Sequence, residues 1–154
     1  SKMNQLSMIV DVSHLSEGGF YDVLKHSKEP IMATHSCAKA LCKHQRNLTD
    51  DQLKKLGEHG GFVGVNFYDH FLADNSDFAT IEQIINHIKY MINKAGMESV
   101  GFGSDFDGIE RAGELEDYTG FVKLVDSLEK HFSDDAIDMI CYKNALRIIE
   151  EVVR

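Results

Sequence analysis

Four short apolar runs, each followed by a stretch of helical periodicity, constrain the fold of this chain more than any other feature. The runs are MIVDV from Met8 to Val12, PIMAT from Pro30 to Thr34, FVGVNF from Phe62 to Phe67 and VGFGS from Val100 to Ser104. Such near-continuous apolar runs read as strands covered on both faces. Between them the spacing turns helical. Ser16 to Lys28 carries Phe20, Val23 and Leu24 on one face, and a second helical stretch is expected to start near Ser36. Thr49 and Gln52 fit a capping box, with Gly60 and Gly61 as the stop. Thr80 and Gln83 fit another, ahead of a face of Ile81, Ile84, Ile85, Ile88, Met91 and Ile92 that ends at Gly96. Two amphipathic helices follow the fourth run. One passes through Phe121, Leu124, Val125 and Leu128; the other is capped at Ser133 and passes through Ile137, Ile140 and Leu146 towards Val153.

This order predicts an α/β fold, a parallel sheet covered by helices and joined by right-handed crossovers. Two architectures fit: a four-stranded open sheet complete in itself, or half of an eight-stranded barrel. A full barrel takes about 250 residues, and the chain has 154. It reads as a single segment, residues 1–154, with no internal boundary, repeat or linker.

Charge and patterning exclude several roles. A formal net charge of −9 argues against nucleic acid as a partner, because binding phosphates needs clustered Lys and Arg. No run approaches the roughly 18 apolar residues of a membrane span, and the opening SKMNQLSMIVDV lacks the pattern of a signal peptide. Cys37, Cys42 and Cys141 form no C-x-x-C pair. They are expected to be reduced, small buried residues in a cytoplasmic setting.

Every run delivers a polar residue at its C-terminal end, the edge where parallel α/β folds build their sites. These are His14, His35, Asn66 with Tyr68, and Asp105. His14 and His35 lie twenty-one positions apart, one strand–helix unit. Neighbouring strands are about 4.8 Å apart, so two such imidazoles can converge on one ion, although loop histidines have the same appearance. Asp105 suits a metal ligand, a general base or a helix cap. The D-x-D-G at Asp105 to Gly108 does not meet the spacing of a calcium loop. Arg46 offers two parallel hydrogen bonds to a carboxylate, or else a surface pair with Asp50 or Asp51. His26, His44, His59, His70, His87 and His131 are expected at the surface.

Taken together, MIVDVSHLS, ATHS, the arginine in QRNLTDDQL, GVNFY, VGFGSDFDG and the closing NALRIIEEV resemble the renal (membrane) dipeptidase family in order and spacing, over nearly the whole chain. That resemblance implies the C-terminal half, strands five to eight with their helices, of a (β/α)8 TIM barrel of the amidohydrolase type. It implies that His14 and His35 are the two histidine ligands of one zinc of a binuclear pair. Arg46 would hold the free carboxylate of a dipeptide substrate, and Asp105 would handle the proton of the bridging water. The reaction implied is zinc-dependent hydrolysis of a dipeptide, with Asn66 and Tyr68 lining the pocket.

The family also carries a His-x-Asp pair after its first strand, a bridging carboxylate after its third and a histidine after its fourth. Nothing in this sequence matches them. The chain alone is therefore expected to be inactive and to bind zinc weakly, pairing with an N-terminal half or with another copy of itself. Two other readings stay open. Phosphotriesterase-like and deaminase-like amidohydrolases share the histidines and the aspartate, though not the arginine. A non-enzymatic α/β ligand-binding domain of flavodoxin type is the other, against which stands the absence of a glycine-rich loop after the first run.

Overall fold

A computed structural model describes residues 2–74 and 78–153. Four strands form one sheet: β1 (Val10–Asp11), β2 (Ile31–Ala33), β3 (Phe62–Val65) and β4 (Val100–Phe102). All neighbours are parallel and the spatial order is the chain order, β1-β2-β3-β4. A doubly wound sheet reverses its order at a switch point. This one does not, and its continuous sequence of strands is that of an arc of a (β/α)8 barrel. The strands are shorter than the apolar runs, at the C-terminal end in β3 and β4 and at both ends in β1 and β2. The ladder nevertheless continues past the strand ends, with Val12 N–H on Met32 O, Ser36 N–H on Gly64 O and Gly103 N–H on Val65 O.

The helices follow from their caps. The Ser16 hydroxyl takes the Gly19 N–H and opens α2 (Glu17–His26), which follows a short α1 (Lys2–Gln5). Both expected capping boxes form. Thr49 with Gln52 starts α3 (Asp50–Glu58), a one-turn α4 (Asp69–Leu72) comes after β3, and Thr80 with Gln83 starts α5 (Ile81–Ala95). Gly96 ends α5 at φ 94°, a conformation that side-chain-bearing residues avoid. The stripe Ile81, Ile84, Ile85, Ile88 and Met91 is buried as the periodicity predicts, and Ile92 lies at its margin.

Three expectations need correction. No helix starts near Ser36. Residues 36–48 form a compact loop closed by a parallel bridge between Ala38 and Leu48. The buried Asn47 side chain is the reason: its Oδ1 takes the Cys37 N–H, and its Nδ2 donates to Cys42 O and Phe71 O. Backbone groups that a helix would pair are thus already satisfied.

The final helix is real but not uniform. After α6 (Phe121–Leu128), α7 (Asp134–Asp138) runs through a π-helical turn at Met139–Lys143 into α8 (Asn144–Val152). The buried stripe is Ile137, Ile140, Asn144, Ile148 and Val152, and Leu146 lies off it at 43% exposure. Steps of four drift around an α-helix, and the wider π turn takes up that drift. Third, His87 is not a surface residue. It is 1% exposed on the inner side of α5.

The main core lies between sheet and helices, built on Ile31, Ala33, Val63, Val65, Val100 and the faces of α3, α5 and α6. Strand residues alternate faces, so Met32 and Phe62 point the other way. There Ile148 and Val152 of α8 cover them in a second, smaller cluster. Among the described residues no helix is long and apolar enough to cross a membrane.

Candidate metal and substrate site

The register of the sheet explains why two histidines distant in sequence meet. Val10 pairs with Ile31 across β1 and β2, and His14 and His35 each lie four residues beyond that pair. They therefore leave neighbouring strands in the same row. Their rings stand 4.9 Å apart with the two Nε2 atoms 2.8 Å from each other. Burial pushes the His35 imidazolium below its ordinary range; Asp105 and Asp11 pull the other way, and Arg46 and His14 add to the lowering. A neutral imidazole is the form that binds metal.

Beneath the pair sits a carboxylate that sequence reasoning passed over. Asp11 takes hydrogen bonds from the Ser13 and Thr34 backbone N–H groups at 3.0 and 3.2 Å and from their hydroxyls at 2.7 and 2.6 Å. Partial burial works against its charge, but these bonds, that from the Thr34 side chain foremost, outweigh it and hold the carboxyl below the usual carboxylate range. The signal for Asp11 was in D-x-S-H and T-H. Small hydroxyl residues beside the candidate ligands suit a network that supports them.

Asp105 occupies the end of β4 with φ at 62°. Its carbonyl accepts the Gly108 N–H at 2.8 Å, closing a tight turn. Asn66 donates from Nδ2 to Asp105 Oδ2 at 2.9 Å, and its own Oδ1 accepts the Tyr68 N–H at 2.7 Å. Asn66 is fully buried, so this bond braces the Asp105 carboxylate from inside the fold. Phe67, Phe102, Phe106 and Phe121 pack edge-on or tilted with centroids 5.4 to 5.9 Å apart, fixing the ends of β3 and β4 on either side of Asp105.

Arg46 reaches the same edge from the 36–48 loop. Its Nε donates to Ser13 O at 2.9 Å and its guanidinium lies 5.6 Å from the Phe71 ring centroid. It does not pair with Asp50 or Asp51, which bond Lys94 with Tyr90 and Lys55 with Tyr21 respectively. Its Nη2 is buried with no hydrogen-bond partner among the described residues. The guanidinium therefore keeps donor capacity for an acceptor such as a carboxylate. Burial lowers the Arg46 pKa, partly offset by Asp105 and then Asp11, so the arginine, His35 and both carboxylates share one electrostatic neighbourhood.

Two imidazole nitrogens turned to one point fit a borderline-soft cation such as zinc. They are fewer than the three protein ligands of a catalytic zinc. Among the described residues no cluster of three or more His, Cys, Asp or Glu side chains could hold a metal ion. The cysteines stand apart from this chemistry. Burial pushes the Cys37 thiol up and raises that of Cys42 to about 11, and both donate to backbone carbonyls, of Asn66 and His70.

Comparison with known proteins bears on the whole arrangement. The family model for membrane dipeptidase, peptidase family M19, matches residues 1–154. A Klebsiella pneumoniae protein described as an uncharacterized protein in the pqqA 5′ region is 43% identical over 98% of the chain, which spans 57% of that relative. An uncharacterized dipeptidase of Schizosaccharomyces pombe is 40% identical over 96% of the chain, which spans 36% of it. Among solved structures, a metallo peptidase from Rhodobacter sphaeroides, liganded with a phosphinate mimic of the dipeptide L-Ala-D-Ala, superposes with a TM-score of 0.93 at 35% identity. That match covers 98% of this chain and 44% of the peptidase.

Proposed function

Because this chain belongs to the membrane dipeptidase family, peptidase family M19, we propose that its sheet edge is one side of the active site of a zinc-dependent dipeptidase. The observation that carries the reading is the convergence of His14 and His35 at 2.8 Å beside Arg46 and Asp105. When bound, a zinc pair supplies a polarised carbonyl and a water acidic enough to attack at neutral pH.

The residues of this chain do the rest. His14 and His35 hold metal through their Nε2 atoms. Arg46, anchored at Ser13 O through Nε, offers its remaining donors to the free carboxylate of the substrate. A substrate must therefore end close to its scissile bond, which selects dipeptides over proteins. Asp105, turned by Asn66, accepts the proton of the attacking water and passes it to the leaving amine. The 154 residues alone bring two of the protein ligands, so by themselves they bind zinc weakly and turn over little.

The test is a chimaera in which these residues replace the matching segment of the Rhodobacter sphaeroides metallo peptidase. It is expected to hydrolyse dipeptides with zinc. Arg46→Ala in that background is expected to raise KM by roughly 10–100-fold while keeping the metal, the cost of losing a charge-assisted hydrogen bond. An unchanged KM would remove the carboxylate role from Arg46. Full dipeptidase activity from the isolated 154-residue chain would overturn the claim that its ligand set is incomplete.

A further inference from the structure

The two ring nitrogens of His35 have different partners. Nε2 faces His14, and Nδ1 lies 2.8 Å from the Thr34 hydroxyl oxygen. That hydroxyl has a single hydrogen, and Asp11 Oδ2 stands 2.6 Å away to receive it. An ionised carboxylate only accepts. Thr34 therefore gives its hydrogen to Asp11 and presents lone pairs to His35. Nδ1 must then be the donor, so the neutral ring carries its proton on Nδ1 and a free lone pair on Nε2. His14 Nε2, 2.8 Å away, faces that lone pair.

Asp11 has no freedom to do otherwise. Its Oδ1 is held by Ser13 N, Ser13 Oγ and Thr34 N. Having donated to Asp11, the Ser13 hydroxyl accepts the His35 backbone N–H at 3.1 Å. Thr34 is itself wedged: a Cβ at Gly64 or at Gly103 would run into its carbonyl oxygen, so both strands approach it as bare backbone. The backbone and the ring of His35 thus both depend on one carboxylate two residues before Ser13 in β1's direction of travel.

We propose that Asp11, acting through the Thr34 hydroxyl, is a positioning residue that holds His35 in the tautomer whose Nε2 lone pair faces the metal position. The proposal rests on the reading of His14 and His35 as ligands.

The geometry makes an isosteric change decisive. In Asp11→Asn the three donors at Oδ1 keep the amide oxygen there, which places the amide NH2 against Thr34 Oγ1. The threonine hydroxyl must then accept from the amide and donate to His35 Nδ1, which moves the ring proton to Nε2. The experiment is nitrogen-15 NMR of the histidine rings in the metal-free chain, at a pH where His35 is neutral, followed by zinc titration against a chelator. The wild type is expected to show Nδ1–H at His35, Asp11→Asn to show Nε2–H, Thr34→Val to lose the preference and Thr34→Ser to restore it. Zinc affinity is expected to fall about 10–100-fold in Asp11→Asn and Thr34→Val, the range for supporting partners of metal ligands, and to be kept in Thr34→Ser. A wild-type His35 protonated on Nε2, or a tautomer indifferent to both Asp11→Asn and Thr34→Val, overturns the proposal. Ring signals of His14 and His35 that do not respond to zinc in the wild type overturn the ligand reading beneath it, whatever the tautomers do.

Discussion

Asp105 shows how much of a proposed catalytic group is decided one residue at a time. Its positive φ is a conformation that Asp tolerates better than bulkier residues do, and Gly108 gives the turn room, because a Cβ there would meet the Asp105 carboxylate. Asn66 then occupies one carboxylate oxygen. Asp105→Asn keeps the shape and removes the proton acceptor. In the chimaera it is expected to lower kcat by about 100-fold or more with zinc content unchanged, measured by steady-state kinetics beside metal analysis. A parallel loss of zinc would make Asp105 a ligand instead. The thiols give a simpler check. Cys37 and Cys42 are almost wholly buried and bonded to carbonyls, so an absorbance assay with a thiol reagent should find them unreactive until denaturant opens the fold.

At the scale of elements, the loop that carries Arg46 is held by a histidine far from the chemistry. His87 on α5 accepts the Ala38 N–H at Nδ1 and donates from Nε2 to Leu72 O, both at 3.1 Å. It ties the start of the 36–48 loop and the end of α4 to the long helix. Burial brings its pKa from 6.5 down to about 4. The depressed value means that the unfolded chain binds this proton more readily than the folded one. Stability is therefore full above the unfolded value and falls as pH drops towards about 4. The loss approaches about 3 kcal/mol. Urea midpoints at neutral pH and at about pH 4.5 should differ accordingly, and His87→Gln, which cannot titrate, should flatten that difference. Caps act on the same scale. Thr80→Ala removes the hydroxyl half of the box that starts α5, the Gln83 N–H on Thr80 Oγ1, while the residue-80 N–H can still reach Gln83 Oε1, and is expected to cost about 1 kcal/mol, read from the shift in urea midpoint.

The whole molecule is an arc whose two outer strands, β1 and β4, each have one neighbour among the described residues. Leu6, Met8 and Leu15 near β1 are 54%, 48% and 45% exposed. An unpaired strand with apolar neighbours invites another chain. Sedimentation velocity on the isolated 154 residues is expected to show self-association that grows with concentration. A monomer at all concentrations would mean that these edges are self-sufficient. The apolar reverse face of the sheet is less bare than a half-barrel suggests, because α8 brings Ile148 and Val152 across Met32 and Phe62.

Local rules carried far here. Apolar runs, helical stripes, capping boxes and the placing of a polar residue after each strand are short-range properties, and they identified the strands, α2, α3, α5 and α6, and put forward His14, His35 and Asp105 as candidates, with Arg46 added by the family resemblance. Long-range pairing was beyond such rules. Asn47 replaced a helix near Ser36 by accepting the Cys37 N–H and donating to the Cys42 and Phe71 carbonyls. His87 went inside because two backbone groups, Ala38 N–H and Leu72 C=O, satisfied both its nitrogens. The strand register, which places His14 opposite His35, depends on how β1 and β2 align over the whole core. Sequence alone thus determined which residues reach the edge. Only the tertiary structure decided that Asp11 and Thr34 stand beneath His35, because a hydrogen bond between neighbouring strands is set by register and not by spacing along the chain.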